Sequence, residues 1–411
     1  WDEETSSSGA GGLQAVGSGT NVTVEDSQGL STSDMNTAAA DATGGLIENL
    51  NKNLGGGEWQ RNAKRNDGYP IFTSRNIDLT WSDVGAAVME PVYQNLSSPG
   101  TAGQPGNPYS IWNAEDFAWF AYQVNNGRPG ICAELKRDIN LFGGMYSGYA
   151  YDAADTNLMS KALAWVPIGS DADSKRYTGT FNGNGHTVSV MSARDSEKLG
   201  LFGTLGTGAE IKNVALSGLR LAASGIGGSA EGYLGGIAGY VNGTDALISF
   251  CGNEGNLSGN GTYLGGILGG AGTGSGLVIE GCYNAQSADV TADTGTGTAV
   301  GGILGRGSQS DEITVRNCYN RGNVNGRGYA GGIAGEAIAA KTSIRGCYNA
   351  GPVEVESGGQ KGSIAGKGDV DGALIRDCLI EESYSYGNVN GAVIKQGLFK
   401  TWGAAFRLNG G

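Results

Sequence analysis

Five cysteines recur at nearly constant spacing in the C-terminal half of this 411-residue chain. They are Cys251, Cys282, Cys318, Cys347 and Cys378, separated by 31, 36, 29 and 31 residues. Thiolates can bind soft metals or form disulfides, but zinc sites use short paired spacings such as Cys-x2-Cys, which do not occur here. Because free cysteine is among the most buried residue types, we predict a column of reduced, interior thiols. We expect Cys132, which precedes the repeats, to be buried as well.

Asparagines accompany these cysteines at a fixed offset. They lie two residues after a cysteine, at Asn253, Asn284, Asn320 and Asn349. On stacked strands this spacing predicts a ladder of side-chain amides, which should end where Ile380 takes the same position. A polar groove that binds a ligand is the alternative.

Tyrosines occupy the position between cysteine and asparagine in three repeats. They are Tyr283, Tyr319 and Tyr348. Side chains alternate across a strand, so these rings should point outward if the cysteines point inward. An exposed aromatic stripe of this kind could bind the sugar rings of a glycan. In the structural alternative, the tyrosines stack on one another and cover the sheet.

Residues suited to catalysis or metal binding are sparse. His186 is the only histidine, and no cysteine or aspartate constellation nearby in sequence would complete a triad or a zinc site. The pairs Asp171 with Asp173 and Asp369 with Asp371 resemble calcium turns, but they lack the closing glutamate of an EF-hand loop. We therefore predict no catalytic residue, no metal and no cofactor, with calcium at these turns as the alternative. A polysaccharide lyase that gathers carboxylates from adjacent coils is a third functional interpretation.

A glycine-rich block precedes each cysteine and defines the repeat. Its copies begin at Gly235, Gly265, Gly301, Gly331 and Gly362. Each repeat then contains three short β-like segments separated by Gly, Asn, Asp and Ser turns. We predict an all-β fold, a right-handed parallel β-helix with coils of about thirty residues. The longest coil predicts an extended loop around Ala288–Thr298.

The remaining segments divide the chain into regions. Residues 1–72 lack the repeat and should form a small junction domain, and residues 73–105 a linker. The β-helix should span 106–411 and end in a tail over 392–411.

A capping helix is expected over 113–126. Asn113 can cap its first turn, with Asp116 three residues on. Phe117 and Phe120 recur at helical spacing, so one face of this helix is apolar. It would cover the open end of the solenoid, as terminal caps do.

Charge and hydropathy disfavour several partners. The chain has 40 acidic and 27 basic side chains, a net charge of −13. Nucleic-acid phosphates and anionic membranes are therefore unsuitable partners. No apolar run reaches the roughly eighteen residues that a membrane-spanning helix needs. The chain begins at Trp1 without a signal peptide, so we expect a processed or excised form.

Two phrases of the repeat carry a family resemblance. The phrase Gly-Gly-Ile-Ala-Gly from Gly235 and the phrase Cys-Tyr-Asn-Arg-Gly-Asn-Val from Cys318 resemble GLUG-type repeats. Asn107–Phe117 looks like the opening segment of such modules, and Trp165–Gly169 like a first coil, so the resemblance covers roughly residues 105–411. These repeats occur in bacterial surface proteins, in adhesin-like proteins and in non-catalytic regions of some IgA-cleaving metalloproteases.

The resemblance implies a structural and adhesive module of a bacterial cell-surface or secreted protein, whose lateral face could bind a host glycan or surface protein. The alternative is an accessory, non-catalytic region of a large secreted protease or glycan-active enzyme. The segment from Leu50 through Trp59 to Ile71 resembles the close of such a module, and Thr401–Gly411 resembles the start of the same closing segment. We therefore expect about one period of a tandem array. Open solenoid ends would also permit head-to-tail self-association.

Overall fold

The computed structural model describes two compact units, one drawn from residues 1–78 and 144–155, the other from 79–143 and 156–411. The described residues are 46, 59–61, 70–72, 79–93, 97–147, 151–155, 158–194, 196–222, 232–259, 263–272, 274–292, 298–307, 312–337, 341–356, 358–368, 374–376, 379–380 and 393–394. Within the first unit, Trp59–Arg61 pairs antiparallel with Pro70–Phe72, and Gly144–Ser147 forms one helical turn. Cys378, the turn at Asp369–Asp371, and most of the segments 1–72 and 392–411 lie outside the described residues.

The second unit is a parallel β-helix, which confirms the predicted fold class. Sheet A consists of Lys198–Leu199, Tyr233–Gly235, Tyr263–Gly265, Ala299–Gly301, Tyr329–Gly331 and Gln360–Gly362. Sheet B consists of Phe202–Leu205, Ala238–Val241, Leu268–Ala271, Leu304–Gly307, Ala334–Ala337 and Ala365–Gly368. Sheet D consists of Leu257–Gly259, Val290–Ala292, Val324–Gly326 and Val353–Val355.

Sheet C carries the cysteine and asparagine positions. Its strands are Tyr109–Ile111, Ala133–Leu135, Ile139–Asn140, Thr180–Arg194, Glu210–Ala222, Leu247–Ser249, Gly252–Asn253, Ser275–Glu280, Tyr283–Asn284, Glu312–Arg316, Tyr319–Asn320, Lys341–Arg345, Tyr348–Asn349, Leu374–Arg376, Leu379–Ile380 and Val393–Ile394. Strands of successive coils pair in parallel and in register, as where Tyr319 lies opposite Tyr348 and Asn320 opposite Asn349. Equivalent positions of the repeat therefore form columns, spaced by the roughly 4.8 Å between neighbouring strands.

The expectation of three β segments per coil was too coarse, because the glycine block divides between sheets A and B. A Cβ on Gly235 would lie 2.0 Å from the carbonyl oxygen of Ala238, so the chain turns too tightly there for a side chain. The block that contains the cysteine divides as well. It bends at one residue in each coil, which adopts a left-handed backbone conformation with φ between 54° and 62°. These residues are Asn213, Phe250, Gly281, Asn317 and Gly346.

The long loop predicted around Ala288–Thr298 is interrupted by a short strand. Val290–Ala292 pairs with Leu257–Gly259 on one side, and Val290 pairs with Val324 on the other. Val290 is fully buried. Burial of this side chain keeps the strand in place, so the extra residues of the long coil are distributed on both sides of it.

Two helices cover the first coils. Helix α1, Trp81–Ala87, lies in the segment expected to be a linker, which corrects that expectation. Helix α2, Ala114–Asn125, begins at the cap Asn113, whose Oδ1 accepts from the Asp116 amide at 2.7 Å. The two helices pack so closely that a Cβ on Gly85 would lie 2.2 Å from the backbone of α2.

Aromatic side chains join α2 to the β-helix interior. The ring of Phe117 stacks on Trp165 at 5.0 Å and on Phe181 at 5.5 Å between centroids. A further helical turn, Leu158–Lys161, precedes Trp165. Within the described part of the chain, no helix is long and apolar enough to cross a membrane.

Candidate functional site

A column of asparagines runs along the buried face of sheet C. The amide of Asn253 donates to Asn284 Oδ1 at 2.7 Å, that of Asn284 to Asn320 at 2.8 Å, and that of Asn320 to Asn349 at 2.7 Å. All four side chains are at most 1% exposed. Asn320 Nδ2 also donates to the carbonyl oxygen of Gly322 at 2.9 Å. Buried amides need such partners, and these are out of reach of a ligand, so the column is an interior network.

In the first four glycine blocks, the second glycine packs against this column. A Cβ on Gly302 would lie 2.2 Å from the Gly332 carbonyl oxygen and 2.4 Å from Asn320 Cγ. A Cβ on Gly266 would lie 2.7 Å from Asn284 Oδ1. A side chain at either glycine would displace the amide beside it. The glycine block and the asparagine that follows each cysteine, although separate in the sequence, therefore pack directly against each other.

Free thiols form a second interior column beside the asparagines. Its described members are Cys251, Cys282, Cys318 and Cys347, all buried. The Cys282 thiol donates to the carbonyl oxygens of Ile248 at 3.5 Å and Glu280 at 3.4 Å. Burial, together with the neighbouring Cys251 thiol, raises the pKa of Cys282 well above its usual range. A thiol that stays protonated is a poor nucleophile and a poor metal ligand, so Cys282 serves as a packing group.

The three tyrosines stack on one another along the outer face, and we call them the tyrosine column. The ring centroids of Tyr283 and Tyr319 are 5.5 Å apart at an interplanar angle of 14°, and those of Tyr319 and Tyr348 are 5.3 Å apart at 17°. All three side chains are half-buried. The column ends at Gly252, where a Cβ would lie 2.2 Å from Tyr283 Cζ.

The hydroxyl of Tyr283 has a charged partner. Tyr283 donates to Glu254 Oε1 at 2.6 Å. Burial and this hydrogen bond raise the pKa of the Tyr283 hydroxyl. Because Tyr319 has a stacked ring on each side, the surface there presents ring edges and hydroxyls rather than open ring faces. The column can therefore contact a ligand mainly through edges and hydrogen bonds.

The comparisons with known proteins reach parts of the chain only. No family model matches it. A 204-residue stretch, 49% of the chain, is 27% identical to halomucin of Haloquadratum walsbyi and corresponds to 2% of that protein's length. The crystal structure of a "putative immunoglobulin A1 protease" from Bacteroides ovatus superposes with a TM-score of 0.43 at 20% identity, covering 65% of this chain and 85% of that one. Neither similarity assigns the chain to a family.

A second aromatic cluster, not anticipated from the sequence, lies where sheets A and B meet. The guanidinium of Arg306 lies 4.5 Å from the ring centroid of Tyr263, and the Lys367 ammonium lies 4.5 Å from that of Tyr329. Both cations also pair with Glu336, at 3.3 Å and 3.5 Å. The available signal was a tyrosine two residues before three of the glycine blocks. The two cations share the single carboxylate of Glu336, which joins them and the two tyrosines in one packed cluster.

The remaining described candidate residues contact charged side chains. His186 Nδ1 lies 3.2 Å from Asp138 Oδ1, a contact across 48 residues that the sequence alone did not show. Asp171 and Asp173 both face Arg176, at 3.5 Å and 2.6 Å. Among the described residues, no three or more His, Cys, Asp or Glu side chains are grouped to hold a metal ion.

Proposed function

We propose that this chain is a non-catalytic, adhesive module of a secreted or cell-surface protein, and that its tyrosine column contacts a glycan. The observation that carries the proposal is the half-exposed stack of Tyr283, Tyr319 and Tyr348 on a parallel sheet. Rings fixed by stacking lose little conformational freedom when a ligand binds. Tyrosine also combines an apolar ring with a hydroxyl that hydrogen-bonds to a sugar.

Two observations support an extracellular setting. Half of the chain is similar to a protein named as a mucin, and the glycine and cysteine phrases resemble repeats of surface proteins. The described thiols are buried, which shields them from oxidation outside the cell. The matched stretch corresponds to only 2% of the length of halomucin. The role of the whole protein that contains this chain is therefore part of the proposal.

The carboxylates beside the column support the absence of catalysis. Glu254 accepts from Tyr283 at 2.6 Å, and Glu280 pairs with Arg316 at 2.7 Å. Glycoside hydrolysis uses two carboxyl groups that flank one glycosidic bond and are free to exchange protons. Glu254 and Glu280 are each held by another side chain.

A glycan array tests the proposal with the 411-residue chain. The wild type should bind glycans, and the triple variant Tyr283→Ala/Tyr319→Ala/Tyr348→Ala should lose that binding while keeping its circular dichroism spectrum. A triple phenylalanine variant keeps the rings and isolates the contribution of the hydroxyls. Met89→Ala, at an 89% exposed position on another part of the chain, is the matched control. A wild type that binds no glycan, or an alanine variant that binds as well as the wild type, would overturn the proposal.

A further inference from the structure

The tyrosine column has an acidic end and a basic end. At the acidic end, Tyr283 donates to Glu254 and follows Glu280 by three residues. Toward the other end, the outward position of sheet C that holds Glu280 is occupied on the next coil by Arg316, then by Arg345. The chain as a whole carries a net charge of −13, so this concentration of positive charge departs from its surroundings.

Arginines in register along a sheet repel one another. Arg316 lies opposite Arg345, and the backbone register places Arg376 opposite Arg345 on the following strand. Like charges directly opposite on neighbouring strands are destabilising. Arg316 has a counter-charge, because its Nη2 lies 2.7 Å from Glu280 Oε2. Arg345 is exposed, and no described carboxylate forms an ion pair with it.

A further guanidinium flanks the column on its opposite side. Arg321 is exposed and follows Tyr319 by two residues. Its Nη2 donates to the neutral amide oxygen of Gln286 at 3.0 Å, so its charge is not offset by that partner. Tyr319 and Tyr348 therefore stand between Arg316 and Arg345 on one side and Arg321 on the other.

We infer that this basic end of the tyrosine column binds an anionic polysaccharide, one that carries carboxylate or sulfate groups. The inference rests on the proposed function and names its ligand class. Guanidinium groups form paired, charge-assisted hydrogen bonds with carboxylate and sulfate-like oxygens. The hydroxyls of Tyr319 and Tyr348 supply hydrogen bonds to the uncharged sugar oxygens between those groups. Binding also relieves the repulsion between Arg316 and Arg345.

The spacing of the columns favours a polysaccharide over an acidic peptide. Equivalent positions recur about every 4.8 Å along the β-helix, whereas side chains on one face of an extended peptide recur about every 6.8 Å. A peptide lying along the column would lose register with the arginines within a few coils. A pyranose unit is close to one coil step in length, so successive sugars can stay level with successive coils.

The test measures binding of the 411-residue chain to four immobilised polymers by surface plasmon resonance. These are heparin, which is sulfated, polygalacturonate, which is carboxylated, dextran, which is neutral, and poly-glutamate, an acidic peptide. The variant is Arg321→Gln/Arg345→Gln. Its matched control is Arg327→Gln, which removes the same charge from a guanidinium paired with Glu356 at 3.0 Å.

We expect heparin or polygalacturonate to bind, with affinity that falls as salt rises. The double variant should bind at least about tenfold more weakly, the equivalent of one charge-assisted contact, and Arg327→Gln should bind as the wild type does. Tyr319→Ala should lose binding and Tyr283→Ala should keep it, because Tyr319 lies at the basic end of the column and Tyr283 at the acidic end. Whichever of heparin and polygalacturonate binds more tightly identifies sulfate or carboxylate as the recognised group.

Three results would overturn the inference. Equal binding of dextran, unaffected by the arginine changes, would contradict it and leave the glycan-binding function standing. Poly-glutamate bound as tightly as the polysaccharides would make the ligand an acidic peptide. No binding to any of the four polymers would refute it, and the glycan array then decides separately whether the proposed function stands.

Discussion

Replacing Asn320 with alanine tests the interior network that holds the coils in register. The change removes the hydrogen bonds to Asn349 at 2.7 Å and to Gly322 at 2.9 Å, and the one accepted from Asn284 at 2.8 Å. A buried hydrogen bond contributes about 0.5–1.5 kcal/mol net. We therefore expect the free energy of unfolding to fall by about 3 kcal/mol.

The position within the column sets the size of the effect. Asn253 lies at the end of the column, where its amide donates to Asn284 and its oxygen accepts from Gly255 at 3.2 Å. With two bonds instead of three, Asn253→Ala should cost about 2 kcal/mol. The matched surface control is Asn325→Ala, because Asn325 is half-buried and donates only to Thr291 Oγ1 at 3.2 Å. We expect about 0.5 kcal/mol there.

Urea unfolding followed by circular dichroism gives the three values, provided that the slope of the transition is unchanged between variants. Amide hydrogen exchange in the strands of sheet C around residue 320 should be faster in Asn320→Ala than in Asn325→Ala. If Asn320→Ala costs no more than Asn325→Ala, the amide column does not stabilise the fold, and the reasoning from buried polar partners is refuted.

Two further predictions follow from the glycine and thiol columns. Gly302→Ala should destabilise the chain by about 1–3 kcal/mol, because the new Cβ would clash with Asn320. In the control Gly106→Ala no atom lies within 4 Å of the new Cβ, so the urea midpoint should be unchanged. Equal midpoints for the two variants would contradict this prediction. In a Cys378→Ser background, the other cysteines should resist Ellman's reagent until urea unfolds the chain; rapid labelling of the native protein would show that the thiols are accessible. Burial raises the pKa of Cys282 in the folded chain, so the unfolded chain loses this proton at a lower pH. The free energy of unfolding should therefore fall as the pH rises above the ordinary thiol pKa of 9.0. The fall should be less steep in Cys282→Ser.

The fold class and the membership of the columns could be predicted from the sequence, because repeat spacing and strand alternation are local properties. Positions two residues apart share a face of a strand, and the thirty-residue period sets which coil each belongs to. The register that places Tyr319 opposite Tyr348 follows from that spacing. Contacts between different blocks could not be predicted this way, such as Gly302 against Asn320, because they depend on how sharply the coil bends.

Helix α1 shows the same limit for the region outside the repeats. It has only seven residues, and glycine at position 85 lowers its intrinsic helical propensity. Its stability comes from Trp81, which is buried and donates through Nε1 to the Leu141 carbonyl oxygen at 2.9 Å, 60 residues away. No local pattern reports such a contact. The charge gradient along the tyrosine column was hidden for a related reason, since Glu280, Arg316 and Arg345 come together only through stacking.

The asparagine column has a consequence for how such chains can change length during evolution. Inserting or deleting one complete coil leaves every amide opposite another amide, so the solenoid can grow or shrink by whole repeats. A shift of one residue within sheet C would instead bring the amide of Asn320 opposite Tyr348 or Ala350, and would leave a buried donor without its acceptor. The amide pairs thus fix the register between coils. Duplication of complete coils preserves these pairs, whereas insertions or deletions of any other size within these strands would break them. Additional residues are accepted only between strands, as the long coil around Val290 illustrates.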